Sequence, residues 1–109
     1  MKIYIAGKIT GDKHYKKKFR KAEKKLAKLG HSVMNPANLG NYSGFSWEDY
    51  MKTSRAMQDV CEAVLFLPDW KNSRGAFEEW EHAGELGQKK FFDIKEVNDR
   101  NMKFGRHNV

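Results

Sequence analysis

The stretch AVLFLPDWKNSRGAFEEW, residues 63–80, begins with five apolar residues in a row and ends in an amphipathic pattern. The run 63–67 shows none of the alternation between apolar and polar residues that marks a strand with one face in water. Such a run is typical of a central strand of a parallel sheet, covered on both faces. The segment therefore predicts a buried strand that leads through a loop into a helix, which is the repeating unit of an α/β fold.

The rest of the chain repeats this alternation, and the predicted elements are strands 2–6, 31–35, 63–67 and 89–94 and helices 12–29, 46–60 and 74–86. Gly11 and Asp12 are predicted to open the first helix, Gly30 to end it and Ser46 to cap the second. Strands that alternate with helices imply a parallel sheet with helices packed over it. We therefore predict an α/β fold, a Rossmann-like or flavodoxin-like three-layer α/β/α arrangement with a four- to five-stranded parallel sheet.

The length of 109 residues and the hydrophobic content of 39% fit one small domain with a modest core. Residues 1–94 are assigned to this domain, and the polar stretch 95–109 to a C-terminal extension or arm. No apolar run approaches the ~20 residues of a membrane-spanning helix, and the N-terminus lacks the pattern of a secretory signal. We expect a soluble cytoplasmic protein without a membrane partner.

The net charge of +7 comes from one segment, because residues 12–28 carry nine Lys or Arg against Asp12 and Glu23. Apolar residues recur in this segment at steps of four and three, and they predict the inward stripe of a helix: Tyr15, Phe19, Ala22, Leu26 and Leu29. The lysines then form the solvated outer face. The aromatic residues of the segment, Tyr15 and Phe19, belong to the inward stripe and not to the charged outer face, so a nucleic-acid partner is not expected.

Neither the cysteine nor the histidines indicate a reactive thiol or a metal site. Cys61 lies among apolar positions of a helix face, so a buried structural thiol is favoured over a nucleophile. The four His residues are scattered and none has a partner at ligand spacing. We expect no metal and no cofactor.

Two loops leave strands at the edge where open parallel sheets bind their ligands. In the first, YIAGKITGD, Gly7 and Gly11 let the backbone turn and approach a ligand, while Lys8 and Thr10 supply a cation and a hydroxyl. Its spacing matches neither GxGxxG nor a P-loop, so this loop alone does not indicate a particular class of ligand.

The second loop leads into the third helix, where two glutamates are adjacent. Helical spacing directs Glu79 inward on one face with Ala76, Trp80 and Ala83, and turns Glu78 outward. An inward carboxylate at the ligand edge loses hydration and can act as a nucleophile or a base. The alternative is a helix-start carboxylate that pairs with the macrodipole and a nearby cation. Spacing alone leaves both open.

Three residues precede this glutamate at the start of the helix. Ser73, Arg74 and Gly75 bring a hydroxyl, a guanidinium and free backbone N–H groups together, which is a set that can hold a phosphate. The alternative is simple capping, with Ser73 as the N-cap.

Four segments in combination carry a resemblance to a known superfamily: MKIYIAGKITG, NPA, WEDYM and CEAVLFLPDWKNSRGAFEEWEHA. The chain resembles the nucleoside 2-deoxyribosyltransferase-like superfamily, in particular a small branch often carried by bacteriophages. The resemblance spans roughly residues 1–93. It implies a flavodoxin-like or Rossmann-like fold, a homo-oligomer, and a location in the cytoplasm of a bacterium or a phage-infected host. It also implies cleavage or exchange of the N-glycosidic bond of 2′-deoxynucleosides or their 5′-monophosphates, often through a glycosyl-enzyme ester.

The resemblance also assigns roles to individual positions. The family's nucleophilic glutamate stands four residues after a loop glycine, as Glu79 stands after Gly75. A serine two residues before that glycine binds phosphate in the 5′-monophosphate N-glycosidases, and Ser73 matches it. Tyr4, three residues before Gly7, matches the tyrosine that orients the nucleophile, although a core aromatic on a strand is the alternative.

Two positions depart from the family pattern. The family's general acid, an aspartate on the second helix, aligns with Ser54, and a serine does not protonate a leaving base efficiently near neutral pH. Asp49 or Asp59 would serve only from a shifted register, and both lie away from the inward face. Lys8 and Thr10 stand where the monophosphate enzymes have a serine and an arginine.

The predicted function is therefore that of an N-glycosidase or deoxyribosyltransferase that acts on a small-molecule nucleotide, a 2′-deoxynucleoside 5′-monophosphate, through Glu79. Trp47 and Trp70 either stack on the base or pack in the core, and Lys71 adds positive charge near the phosphate. The residues assigned to the substrate are Gly7, Lys8, Thr10, Ser54, Ser73, Arg74 and Gly75. The alternative is a non-catalytic protein that binds or sequesters a nucleotide or an ADP-ribose-like signal in the same pocket. Nucleic-acid attachment through the lysine helix ranks last.

Overall fold

A computed structural model describes residues 1–98 of the chain. The strands are β1 (Lys2–Ala6), β2 (Ser32–Met34), β3 (Ala63–Phe66) and β4 (Lys89–Phe91), and the helices are α1 (Tyr15–Lys28), α2 (Trp47–Asp59) and α3 (Arg74–Leu86). Short 3₁₀ turns are found at Pro36–Leu39, Trp70–Asn72 and Ile94–Glu96. The predicted alternation of strands and helices is confirmed.

The four strands form one sheet in the order β2-β1-β3-β4, and every neighbouring pair is parallel. In the central pair, Tyr4 of β1 stands beside Val64 of β3, and Ala6 beside Phe66. The order reverses between β1 and β3, because the chain moves to one side of β1 for β2 and to the other side for β3. The loops that follow β1 and β3 therefore diverge, and in such sheets the gap between them is where ligands bind.

Helices cover both faces of the sheet and divide the core in two. On one face, Ile3, Ile5 and Leu65 pack against Phe19 and Leu26 of α1. On the other, a second cluster joins the alternate strand residues to helix residues: Tyr4, Ala6, Val64, Phe66, Ala76 and Ala83. Successive strand residues point to opposite faces, so one apolar run serves both halves of the core. The predicted three-layer arrangement is confirmed.

Local side-chain hydrogen bonds fix where the helices begin. The Ser46 hydroxyl accepts from the Asp49 amide at 3.1 Å and the Asp49 carboxylate accepts from the Ser46 amide at 2.9 Å, a capping box at the start of α2. At the start of α3, the Ser73 hydroxyl accepts from the Ala76 amide at 3.1 Å. Gly30, with φ of +88°, follows the last turn of α1, as predicted for a helix-ending glycine.

Two predicted boundaries were wrong by three residues each, whereas the others match or differ by one residue. Helix α1 begins at Tyr15 and not at residue 12, because the Asp12 carboxylate accepts from the His14 amide at 2.8 Å and folds this stretch into a turn. Strand β4 ends at Phe91 and not at residue 94, because the Asp93 carboxylate caps the 3₁₀ turn that follows.

The chain continues to pack against the core beyond residue 94, the predicted end of the domain. Val97 is buried in the cluster on the α1 side, and the carbonyl of Asn98 lies 2.6 Å from Nε2 of His31. The folded body therefore reaches at least Val97. The rest of the predicted arm, residues 99–109, lies outside the described residues.

Cys61 is a buried thiol, as predicted. Its Sγ donates to the Met57 carbonyl at 3.4 Å, and burial raises the pKa of the thiol to about 11. A protonated, buried thiol is a poor nucleophile. Within residues 1–98, no helix combines the length and the apolar character needed to cross a membrane.

Candidate active site

A cavity of about 590 Å³ opens beyond the carboxyl ends of β1 and β3. Its walls come from the loop after β1, the Pro36–Leu39 turn, one face of α2 and the start of α3. Its size falls in the usual range for small-molecule sites, roughly 300–1,000 Å³. The predicted site residues that line it are Tyr4, Gly7, Thr10, Ser54, Ser73, Arg74, Gly75 and Glu79.

The carboxyl group of Glu79 is the most buried charged group of the cavity. Glu79 is 5% exposed and lies on the face of α3 that packs against the sheet, as helical spacing predicted. The phenol of Tyr4, fully buried on β1, donates a hydrogen bond to its Oε2. This side-chain hydrogen bond joins strand β1 to helix α3 at the inner end of the cavity.

Burial decides the protonation of this pair. Loss of hydration raises the pKa of Glu79 to about 7, while hydrogen bonds from Tyr4 and Ser54 and the charge of Arg55 act in the opposite direction. Burial also raises the pKa of Tyr4 well above its usual value of 10.0. Tyr4 therefore keeps its proton and donates a hydrogen bond to the carboxyl group of Glu79. Glu79 changes its charge near neutral pH, which suits a nucleophile or a base.

Ser54 of α2 adds a third buried polar side chain to the pair formed by Tyr4 and Glu79. It is buried, its hydroxyl donates to the Met51 carbonyl at 3.3 Å, and it lies within hydrogen-bonding reach of both Tyr4 and Glu79. Ser54, which the sequence assigned to the substrate, therefore lies both at the floor of the cavity and in the core.

The start of α3 forms another wall of the cavity. A Cβ atom added to Gly75 would lie 3.1 Å from Sδ of Met51, so the glycine lets α2 and α3 approach each other closely. Ser73 directs its hydroxyl into the first turn as the N-cap, next to the cavity. The positive end of the helix dipole and the free amides of this turn favour an anion here.

Arg74 and Trp47 meet at the rim of the cavity. The guanidinium lies over the Trp47 ring, 4.2 Å from its centre, and Nε donates to Glu78 Oε2 at 3.2 Å. The Arg74 side chain is 74% exposed, so its guanidinium is accessible to a ligand at the rim. Trp47, predicted either to stack or to pack, contributes to the cavity wall.

The position of Gly7 has no room for a side chain. A Cβ atom at this buried position would lie 2.9 Å from Cδ1 and 3.0 Å from Cβ of Leu67, closer than such atoms pack. The backbone of β1 and the end of β3 can therefore approach only if residue 7 has no side chain. Thr10 follows at the exposed rim of the cavity.

Three residues that were predicted to contact the ligand do not line the cavity. Lys8 is not a lining residue, because its amide donates to Asp69 at 3.0 Å and its carbonyl accepts from Lys18 at 2.9 Å, which turn this stretch away. Lys71 lies over the Trp70 ring, 5.8 Å from its centre. Trp70 itself belongs to a cluster of stacked aromatic rings outside the cavity, formed by Phe66, Trp70, Phe77, Trp80 and Phe92.

The sequence interpretation missed the wall formed by the Pro36–Leu39 turn. The Asn35 side chain accepts from the Ala37 amide at 2.9 Å and donates to Glu23 at 2.8 Å, which fixes the turn against α1. A capping asparagine followed by proline is a helix-start signal that was available in the NPA segment. Tyr15, also missed, lines the cavity from the first turn of α1.

Gln58 was also missed. Its side chain is fully buried, and Nε2 donates to the backbone carbonyl of Glu79 at 2.9 Å and to Oε1 of Gln88 at 3.0 Å. The amide therefore holds the turn of α3 that carries the glutamate. A glutamine on an inward helix face was the available signal, since buried amides need partners.

The fold and the cavity define an α/β protein of the Rossmann-like, flavodoxin-like class with a cavity where the strand order reverses. Residues 1–92 match the family described as "Domain of unknown function (DUF4406)", and the chain belongs to that family. No curated protein sequence matches the chain.

Among solved structures, the fold is similar to that of a 2-deoxyribosyltransferase from the psychrotolerant bacterium Bacillus psychrosaccharolyticus. The TM-score is 0.68 at 19% sequence identity, and the alignment covers 94% of each chain. Likeness at this identity shows a shared fold, so the fold that the sequence resemblance implied is confirmed.

Proposed function

We propose that the protein is an N-glycosidase or deoxyribosyltransferase that acts on a 2′-deoxynucleoside 5′-monophosphate, with Glu79 as the nucleophile. The observation that carries the proposal is the buried carboxyl group of Glu79, held by Tyr4 at the inner end of a cavity that also includes the N-terminus of α3. The fold shared with a 2-deoxyribosyltransferase supports the same class of reaction.

In this mechanism, the ionised Glu79 attacks the anomeric carbon while the base departs, and the resulting glycosyl ester is resolved by water or by a second base. Tyr4 acts as a positioning residue, because its phenol fixes one carboxyl oxygen and leaves the other for the sugar. Burial favours the attack, since a poorly hydrated carboxylate is more reactive than one in bulk water.

The start of α3 is proposed to hold the 5′-phosphate. The Ser73 hydroxyl and the free amides of the first turn supply donors, and Arg74 can swing from Trp47 to pair with the phosphate in a bidentate way. Gly75 lets the ligand approach this turn, since it has no side chain. Gly7 and Thr10 line the opposite side of the cavity, in the loop after β1.

Assembly and location are part of the same proposal. As the family resemblance implies, we propose a homo-oligomer in the cytoplasm of a bacterium or a phage-infected host. The half-exposed rings of Phe77 and Phe92 support an association surface, because they extend the aromatic cluster to the outside of the molecule.

The test is incubation with the four common 2′-deoxynucleoside 5′-monophosphates and the matching nucleosides, with chromatography of the released bases. We expect release that depends on Glu79 and is faster for the monophosphates. If the wild type and Glu79→Gln release base at equal rates from every nucleotide tested, the proposal is wrong.

The second candidate is a protein that binds a nucleotide or an ADP-ribose-like signal without turning it over. Ser54 favours it, since a serine stands where the family resemblance requires an acid. A nucleotide that raises the melting temperature with no release of base in hours would support this candidate over the enzyme.

A further inference from the structure

Cleavage of an N-glycosidic bond places the bonding electron pair on a ring nitrogen of the base. A neutral purine or pyrimidine then departs as an anion, unless an acid donates a proton as the bond breaks. The acid must have a pKa near the working pH and lie within hydrogen-bonding distance of the base. The nucleophilic Glu79 cannot be this acid, because it must be ionised when it attacks.

The described walls of the cavity offer no second acid. Among the described residues that line the cavity, Glu79 is the single carboxyl group, and no histidine is present. The remaining polar side chains are hydroxyls, the amides of Asn41 and Asn72, and the guanidinium of Arg74. These groups donate hydrogen bonds but hold their protons too tightly for efficient transfer near neutral pH.

Three carboxyl groups on neighbouring elements already accept hydrogen bonds. Asp12 and Asp69 both pair with Lys18, and the hydrogen bond from Lys18 lowers the pKa of Asp12. Asp49 caps α2, and its hydrogen bonds with Ser46 lower its pKa. None of these three side chains is a lining residue of the 590 Å³ cavity.

We infer, as an extension of the proposed N-glycosidase function, that the substrate is a 5′-phosphorylated N-glycoside whose ring nitrogen is already cationic. Pyridinium nucleotides and N7-alkylated purine nucleotides have this chemistry. A carboxylate oxygen of Glu79 forms a bond to C1′ while the C1′–N bond breaks, and the electron pair neutralises the ring nitrogen. The base departs uncharged and needs no proton. Water then attacks the ester, which returns the carboxylate, adds a hydroxyl to C1′ and releases one proton.

The aromatic lining suits a cationic base. Tyr15, Trp47 and Tyr50 contribute rings to the cavity wall, and the faces of such rings attract planar cations. The Trp47 ring already holds the guanidinium of Arg74 at 4.2 Å. When the 5′-phosphate draws Arg74 toward the start of α3, that face becomes free for the ligand.

The test compares two substrates that differ by one methyl group, 7-methyl-2′-deoxyguanosine 5′-monophosphate and 2′-deoxyguanosine 5′-monophosphate. Rates with Glu79→Gln are subtracted, because the methylated nucleotide also loses its base without a catalyst. We expect kcat/KM at least 10³-fold higher for the methylated substrate. Its pH profile should rise through neutral pH to a plateau, without the falling limb that an essential acid produces. Nicotinamide mononucleotide tests the pyridinium class in the same assay.

Ser54→Asp provides a second, independent measurement. A carboxyl group at this position supplies the missing proton donor, so the ratio of kcat/KM for the unmethylated nucleotide to kcat/KM for the methylated one should rise at least tenfold. Equal use of both nucleotides by the wild type, with a bell-shaped profile, would overturn this inference and leave the N-glycosidase proposal standing. Absence of Glu79-dependent release from every substrate would overturn both.

Discussion

The phenol of Tyr4 on β1 donates a hydrogen bond to Oε2 of Glu79 on α3, and the two residues are 75 positions apart in the chain. Both side chains are buried in the interface between the sheet and its helices. The packing that stabilises this face of the sheet therefore also sets the geometry of the candidate site.

Removal of the nucleophile should abolish the proposed reaction. Glu79→Gln keeps the size of the side chain and its hydrogen-bonding capacity, so the fold should persist while base release falls by at least about 10³-fold. Steady-state kinetics on a cleaved nucleotide measure the effect. Glu81→Gln is the matched control, because Glu81 lies on the exposed face of the same helix. A loss of similar size in the control would contradict the assignment.

The folded protein should lose stability as the pH rises toward 7. Glu79 has a pKa of about 7 in the folded protein against 4.5 for an ordinary glutamate, so between these values the folded state binds more protons than the unfolded state. The free energy of unfolding then falls by roughly 3 kcal/mol from pH 4.5 to pH 7 through this group alone. Urea titrations of the wild type and Glu79→Gln at several pH values should show this slope in the wild type only.

Loss of the Tyr4 phenol should move the titration of Glu79 upward. The hydrogen bond from Tyr4 lowers the pKa of the carboxyl, so Tyr4→Phe should raise that pKa further above its usual range. The rising limb of the pH profile of kcat/KM then shifts to higher pH, at a cost in stability of about 1 kcal/mol. Tyr15→Phe should leave the midpoint of this limb in place, and an equal shift in both variants would exclude a specific role for Tyr4.

Two substitutions of Ser73 separate capping from phosphate binding. Ser73→Ala removes the N-cap and should cost about 1 kcal/mol of stability. Ser73→Asp retains a capping oxygen, so its stability should stay close to that of the wild type. Its negative charge should nevertheless raise KM for a 5′-monophosphate at least tenfold and leave KM for the nucleoside unchanged. Equal effects on both ligands would place the phosphate elsewhere.

Substitution of Gly7 by alanine should destabilise the fold by about 1–3 kcal/mol, because the new Cβ atom lies 2.9 Å from Leu67. In a double-mutant cycle, Leu67→Ala should relieve part of this cost. Gly84→Ala is the control, and its effect on stability should have the opposite sign. Its Cβ atom meets only the end of the Lys90 side chain, at 3.4 Å, so in a helix it should raise stability by roughly 0.5–1 kcal/mol. Thermal unfolding followed by circular dichroism measures all four variants.

Much of the fold was predictable because its signals are local. Both bounds of α3 match the prediction, since a capping serine and a clear helical period mark them within the segment itself. The place of β3 inside the sheet followed from its uninterrupted apolar run. The inward orientation of Glu79 followed from helical spacing, which does not depend on the rest of the molecule.

The remaining features depend on contacts between distant segments. Lys8 is turned away by Asp69 and Lys18, which are 61 and 10 positions from it in the chain. The role of Trp70 was open because a tryptophan after a buried strand suits either a ligand wall or an aromatic cluster. Only the packing of Phe92 and Trp80 around Trp70 decides between these.

The position of Arg74 over Trp47 gives the protein an intrinsic optical reporter. Of its three tryptophans, Trp70 and Trp80 stack together outside the cavity, whereas Trp47 alone lines it. With phenylalanine at positions 70 and 80, the fluorescence of the protein would come from the cavity rim. An anion that draws the guanidinium off the indole would then change the emission, so binding becomes measurable even for ligands that never react.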